Sequence, residues 1–278
     1  MSKVPSITLN NGVEMPQLGF GVWQIADDEA TKAVGTALEA GYRSIDTAAV
    51  YGNEEGTGRA IAGSGIARDD LFVTTKLWNT EQGYDSTLRA FDTSLGKLGL
   101  DYVDLYLIHW PVPAKDAYLD TYRAFEKIYA DGRARAIGVS NFLPEHLRRL
   151  LDETSVVPAV NQIELHPHLQ QAESRAYHAE HGIRTEAWSP LGQGKGLLEV
   201  PTLVAIARKH GRTPAQTVLR WHLQTGNIVI PKSATPSRIK ENFDVLGFEL
   251  DADDLAAIAA LNEGKRLGSD PATMNLGA

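Results

Sequence analysis

Between Leu18 and Leu261 the chain passes eight times from a short apolar run to a segment with helical spacing of its apolar residues, and this repeat restricts the fold more than any other feature. The paired segments are 18–22 with a helix over 28–40, 44–46 with 54–62, 71–77 with 86–98, and 103–109 with 118–130. They continue as 136–139 with 144–152, 159–163 with 173–181, 184–188 with 202–210 and 214–224, and 228–230 with 236–243 and 252–261. Repeated strand–helix order forces parallel pairing through right-handed crossovers. Several strands are apolar with little alternation, as expected where both faces are covered. Eight units without a long linker or a composition break predict an α/β protein of one domain over 1–278, a closed (β/α)8 TIM barrel with two helices beyond the eight. Upstream, residues 6–16 alternate around Asn11-Gly12, which predicts a two-residue β-hairpin forming a lid over one end of the barrel.

The 278 residues suit a barrel of this kind, and 43% hydrophobic content is enough for its core. A net charge of −8 without a basic run argues against nucleic acid and anionic membranes as partners. The absence of cysteine excludes disulfides, thiolate metal sites and cysteine nucleophiles. The opening Met-Ser-Lys-Val-Pro-Ser-Ile lacks the apolar core of a signal peptide, and no apolar run approaches the roughly 20 residues that cross a bilayer, so a cytoplasmic protein is expected, and a monomer. Gly19-Phe-Gly21 runs on into Val-Trp-Gln, so the dinucleotide fingerprint of a Rossmann fold is absent. Gly192-Gln-Gly-Lys195 is followed by glycine and lacks the Walker A spacing; residues 192–196 read as a mobile loop.

In a barrel, residues at the carboxyl ends of successive strands converge on one pocket. Here those ends carry Asp46, Lys76 and His109, with Tyr51 on the loop after the second strand. A lysine inside an apolar strand is costly to bury alone, and Asp46 is its nearest candidate partner. A phenol with a reference pKa of about 10 donates poorly at neutral pH, and a neighbouring ammonium favours its ionised form. Tyr51 and a neutral His109 could then donate two hydrogen bonds to one carbonyl oxygen. Nothing in the set is a nucleophile, so it suits a carbonyl attacked by something other than water. The bland alternative makes Asp46 a helix cap and Tyr51 a packing residue. Glu54 and Glu55 read as first-turn helix charges, with Glu54 within reach of the lysine and tyrosine, and His222 as structural. His166-Pro-His168 has the spacing of metal-dependent barrel hydrolases, but the other strand ends supply Lys, Tyr and Trp in place of ligands, so no metal is expected.

Asp46 and Tyr51 in Asp-Thr-Ala-Ala-Val-Tyr-Gly-Asn-Glu, Lys76 in Thr-Thr-Lys-Leu-Trp, His109 in Leu-Ile-His-Trp-Pro, and Ile-Gly-Val-Ser-Asn-Phe142 together resemble the aldo-keto reductase superfamily over nearly the whole chain. Val-Pro-Ala-Val-Asn-Gln-Ile-Glu-Leu-His-Pro167 and Ala-Trp-Ser-Pro-Leu-Gly192 extend the likeness to bacterial 2,5-diketo-D-gluconate reductases. The resemblance implies NADPH-dependent reduction of small aldehydes, ketones or dicarbonyls, with Tyr51 as proton donor, Lys76 and Asp46 tuning it and His109 orienting the substrate. It implies that Ser140, Asn141 and Gln162 hold the nicotinamide carboxamide, that Trp188 stacks on the ring, and that Leu191, Gly192 and Gln193 follow the pyrophosphate. Gly21, Val22, Trp23, Asp46 and Ser189 complete the cofactor contacts, with Lys232, Ser233, Arg238, Glu241 and Asn242 at the adenosine. Lys232, Ser233 and Arg238 surround the start of the last barrel helix, where amide donors favour an anion; two cations there suit a 2′-phosphate and so NADPH over NADH. Trp23, Trp78 and Trp110, each just past a strand end, line the substrate pocket with Tyr51 and His109. The loop between Trp110 and Ala117 and the tail after Gly268 are short, which predicts an open pocket for small polar carbonyls.

Overall fold

A computed structural model describes residues 4–278, so the first three residues of the segment weighed as a leader lie outside it. The chain begins with the hairpin β1 (Ser6–Thr8) and β2 (Glu14–Pro16), paired antiparallel with Thr8 opposite Glu14. Its turn differs from the expected two-residue form. The Leu9 amide donates to Val13 O at 2.8 Å and the Gly12 amide to Leu9 O at 3.0 Å, while Gly12 takes φ +85°, so the loop has three residues ending on a left-handed glycine. Leu9 and Met15 are buried with Phe72, Leu105, Leu107, Ala136, Ala159, Val160 and Ile228, and the hairpin thereby closes the amino-terminal end of the barrel.

Eight parallel strands follow: β3 (Phe20–Gly21), β4 (Ser44–Asp46), β5 (Phe72–Leu77), β6 (Val103–Ile108), β7 (Ala134–Ser140), β8 (Val160–Glu164), β9 (Arg184–Trp188) and β10 (Ile228–Val229). They pair in sequence order, and parallel bridges from Leu18 to Val229 and from Gly21 to Lys232 join the first to the last. The Gly19 amide to Val229 O and the Val229 amide to Gln17 O, both 2.9 Å, complete the closed barrel. A Cβ on Gly19 would stand 2.9 Å from Ser44 Oγ, so this seam needs a residue without one.

Ten α-helices lie among the described residues: α1 (Asp27–Ala40), α2 (Glu54–Gly63), α3 (Tyr84–Leu98), α4 (Tyr118–Ala130), α5 (Pro144–Glu153), α6 (Ala172–Glu180), α7 (Pro201–Lys209), α8 (Pro214–Gln224), α9 (Pro236–Phe243) and α10 (Ala252–Ala259). Local sequence explains their ends. Three acids open α1 and Gly41 closes it at φ +115°. Thr213 caps α8 in a reciprocal box with Gln216 ahead of Pro214, and Asp251 caps α10 through the Asp254 amide. Phe91, Leu95, Tyr106, Tyr122 and Phe125 typify the layer between strands and helices; each side chain so buried stabilises the fold by about 2 kcal/mol. No helix is long and apolar enough to cross a membrane, among the described residues.

Candidate active site

β4 delivers Asp46 to the carboxyl rim, and a 3-10 turn over Ala49–Tyr51, ended by Gly52 at φ +66°, returns Tyr51 above it. β5 is buried along its whole length and carries Lys76 with no exposure. Lys76 Nζ donates to Asp46 Oδ1 at 2.6 Å and Thr47 O at 2.9 Å, and reaches the Tyr51 hydroxyl at 3.4 Å. The buried ammonium is thus paired, as its cost requires. His109 lies one residue beyond β6, its ring edge-on to Tyr51 with centroids 5.6 Å apart and edge-on to Trp78 at 5.3 Å.

Burial disfavours the Lys76 charge, but the Asp46 carboxylate and its hydrogen bond outweigh that and raise the lysine above its ordinary range. Burial, with the Lys76 charge adding to it, holds His109 well below the usual imidazole range, so it is neutral at pH 7. Tyr51 corrects the expectation drawn from its neighbour. Burial pushes the phenol up, and the Lys76 ammonium pulls against this without reversing it.

The loop is held by a residue the sequence did not single out. Asn53 accepts from Thr47 Oγ1 at 2.8 Å and donates to Val22 O and Ile25 O, both at 2.9 Å, tying the β3 and β4 loops together. Glu54 opens the first turn of α2 as expected, but it is buried, and its Oε1 accepts from Thr75 Oγ1 at 2.7 Å, not from Lys76 or Tyr51. Another unforeseen acid, Glu186 on β9, is fully buried beneath the cluster. Gln162 Nε2 donates to Glu186 Oε2 and Asp46 Oδ2, both at 2.8 Å. Burial and the Asp46 charge push Glu186 up to about 8. An acid within a barrel strand carries a burial cost of the same kind as Lys76, but the sequence around Glu186 does not say which face of the strand it occupies.

The expected carboxamide residues converge on this cluster. Ser140 Oγ donates to Gln162 O at 2.7 Å, Asn141 Nδ2 donates to His109 O at 2.9 Å, and Trp188 Nε1 donates to Asn141 Oδ1 at 2.8 Å. Asn141 and Ser189 take left-handed backbone, φ +63° and +50°. Gln193 Nε2 donates to Ser189 Oγ at 2.9 Å, and residues Gly192–Gly194 form a 3-10 turn next to Leu191. Lys232 bridges to Gly21 across the barrel seam, which puts Val22 and Trp23 on the same rim. Lys232 and Arg238 are exposed, and whereas Arg212 pairs with Asp244, neither has a carboxylate partner among the described residues. Ser233 Oγ accepts from the Thr235 amide at 3.1 Å. Glu241 Oε1 accepts from Thr213 Oγ1 at 2.8 Å, and Asn242 is buried beside it on α9. Trp23 is 41% exposed while Trp110 is buried, so the expected aromatic lining divides into a loose side and a fixed one.

Residues fit a dinucleotide at both ends. Gln162 Oε1 has no protein partner among the described residues, leaving a free acceptor in the strand-end cluster, and two uncompensated cations stand at the start of α9. The mouth is less open than the short tail suggested. Leu267 and Gly268 amides donate to the buried Glu164 at 2.6 and 2.9 Å, and a Cβ on Gly268 would lie 2.5 Å from the Trp188 ring. Farther on, Asn79 Nδ2 donates to Leu276 O at 2.8 Å and the Ala114 amide to Asn275 Oδ1 at 3.0 Å, so the tail crosses the rim. His166 Nε2 is engaged by Glu164 Oε1 at 2.9 Å, and no group of three or more metal-binding side chains occurs among the described residues.

Comparison with known proteins agrees with this geometry. The sequence model of the aldo/keto reductase family matches residues 17–263. Methylglyoxal reductase DkgA of Escherichia coli (strain K12) is 53% identical over 98% of both chains. A crystal structure of an aldo/keto reductase from Brucella melitensis is 62% identical, with a TM-score of 0.92 over 94% of this chain and 99% of that one. A variant of Gox0644 in complex with NADPH is 51% identical, with a TM-score of 0.94 over 98% and 99% of the two chains. With its closed barrel, its buried Asp46, Lys76 and His109 and the half-buried Tyr51 beside them, this chain belongs to the aldo/keto reductase family.

Proposed function

We propose that this protein reduces the carbonyl group of small aldehydes, ketones and dicarbonyls with NADPH, and that Tyr51 gives the proton to the carbonyl oxygen. The observation that carries the reading is the buried Lys76 ammonium, which touches both Asp46 and the Tyr51 hydroxyl. Ser140, Asn141, Gln162 and Trp188 at one end and Lys232, Ser233, Arg238, Glu241 and Asn242 at the other would hold NADPH, which when bound would supply a hydride for the carbonyl carbon.

The chain supplies the rest. Tyr51, raised by burial, stays protonated at neutral pH and so has a proton to give. Once the proton has moved, Lys76 stabilises the phenolate left behind, and Asp46 keeps Lys76 charged and in place. Neutral His109 donates an N–H to the same oxygen, so developing charge meets two donors. Trp78 and Trp110 wall the fixed side of the pocket and exclude water, and the tail over the rim limits its size. That restriction, with the likeness to a relative named methylglyoxal reductase, favours short ketoaldehydes and sugar-derived diketo acids such as 2,5-diketogluconate.

The test is the fall in NADPH absorbance with methylglyoxal, 2,5-diketogluconate and simple aldehydes, with NADH run in parallel. Turnover with NADPH above NADH is expected. NADPH binding without turnover on any of them would contradict the reading. We place the protein in the cytoplasm, which the cysteine-free composition suits, and take it to be a monomer; a sedimentation mass well above 30.3 kDa would refute the monomer.

A further inference from the structure

The Gln162 side chain is held from below by two acids that come from opposite sides of the barrel, Asp46 on β4 and Glu186 on β9. Glu186 sits opposite Gln162 in the β8–β9 register, and all three side chains are almost wholly buried. One Nε2–H goes to Asp46 Oδ2 and the other to Glu186 Oε2, both at 2.8 Å. A single contact fixes the amide nitrogen but leaves the amide plane free to turn about it; a second contact fixes the plane. With both N–H groups committed downward, Oε1 is the only amide atom left to face upward, and it has no protein partner among the described residues.

We infer that Glu186 is a positioning residue: by completing the two-carboxyl cradle under Gln162 it presents Oε1 as an acceptor, so that the site selects a cofactor ring bearing an amide N–H donor. This rests on the carboxamide reading of Gln162 given above. Burial beside Asp46 pushes Glu186 up to about 8, so near neutral pH it accepts as an uncharged carboxyl and adds no second negative charge next to the Asp46–Lys76 pair. Its other oxygen, Oε1, is buried without a partner, which leaves room for that proton.

The test uses NADPH and its reduced 3-acetylpyridine analogue, in which a methyl group replaces the amide NH2. Dissociation constants are read from quenching of tryptophan fluorescence in the wild type, Glu186→Gln, Glu186→Met and Glu186→Asp. In the wild type NADPH binds at least about tenfold tighter than the analogue, the worth of a hydrogen bond into a buried acceptor. Glu186→Gln keeps that ratio, because its side-chain oxygen still accepts from Gln162. Glu186→Met, and Glu186→Asp with its retracted carboxyl, narrow it to about threefold or less, since the acceptor is no longer aimed. A wild type that binds both alike overturns the carboxamide reading and the inference with it. A wild type that discriminates while Glu186→Asp or a folded Glu186→Met retains the full ratio overturns the role of Glu186 alone.

Discussion

The two ends of the proposed cofactor cleft are built on opposite principles. At the chemical end, Asp46, Lys76, Gln162 and Glu186 are all but inaccessible, Lys76 is paired with Asp46, and the titration of Glu186 is shifted by burial. At the adenosine end, Lys232 and Arg238 stand exposed beside a short helix and have no carboxylate partner among the described residues. Charges in a dry site are strong, mutually dependent and costly to leave alone; charges in water are weak one by one and nearly additive. Substitutions at the first end should therefore alter chemistry and folding together, and those at the second should alter binding only.

The largest effect is expected at Tyr51. Tyr51→Phe removes the proposed proton donor and should lower kcat by about 10³-fold while NADPH affinity changes little; kcat and a binding titration in the same sample check this. Lys76→Met leaves the buried Asp46 carboxylate uncompensated and should cost about 3–5 kcal/mol of stability as well as nearly all activity. Urea denaturation would read it, and a variant as stable as the wild type would break the contrast. At the other end, Lys232→Gly with Arg238→His should weaken NADPH binding about 30-fold, leave NADH binding unchanged and leave the unfolding midpoint within error. An equal loss for both nucleotides would mean that these cations do not meet a 2′-phosphate.

A pH-dependent effect sharpens the buried end. Glu186 is raised from 4.5 to about 8 on folding, so between those values the folded protein keeps a proton that the unfolded chain gives up. Stability should fall as pH rises through that window, by at most about 1.4 kcal/mol per pH unit, and Glu186→Gln should flatten the decline. Urea midpoints at about pH 5 and pH 8.5 measure it. A slope identical in the two proteins would mean that Glu186 ionises normally in the fold.

How far these features were legible in the sequence follows the same division between what is local and what is spatial. The eight strand–helix units were readable because strands covered on both faces are apolar, and the eight strands, their order and most helix ends match to within two residues. Asp46, Tyr51, Lys76 and His109 were visible because each interrupts or ends an apolar run, and the geometry brings them together. Glu186 escaped because one acid between Thr185 and Ala187 reads equally well as the solvent face of a strand. The sign at Tyr51 was missed since a neighbouring ammonium is legible in a motif and burial is not. The hairpin turn was misread because Asn-Gly favours the two-residue loop locally, while pairing of Leu9 with Val13 decides the register. The tail across the rim had no signal because its anchors are spatial: the Leu267 and Gly268 amides meet Glu164, and Asn275 Oδ1 meets the Ala114 amide, all far from the tail in sequence.

The most direct measurement of the central claim is kcat with methylglyoxal and the NADPH dissociation constant, determined side by side for Tyr51→Phe and for Lys232→Gly/Arg238→His. A crossed pattern is predicted: the first variant loses turnover and keeps binding, and the second loses binding and, at saturating NADPH, keeps turnover within about threefold. Activity surviving in Tyr51→Phe, or both variants losing both quantities together, would contradict the division of this site into a buried proton-donating end and an exposed anion-binding one.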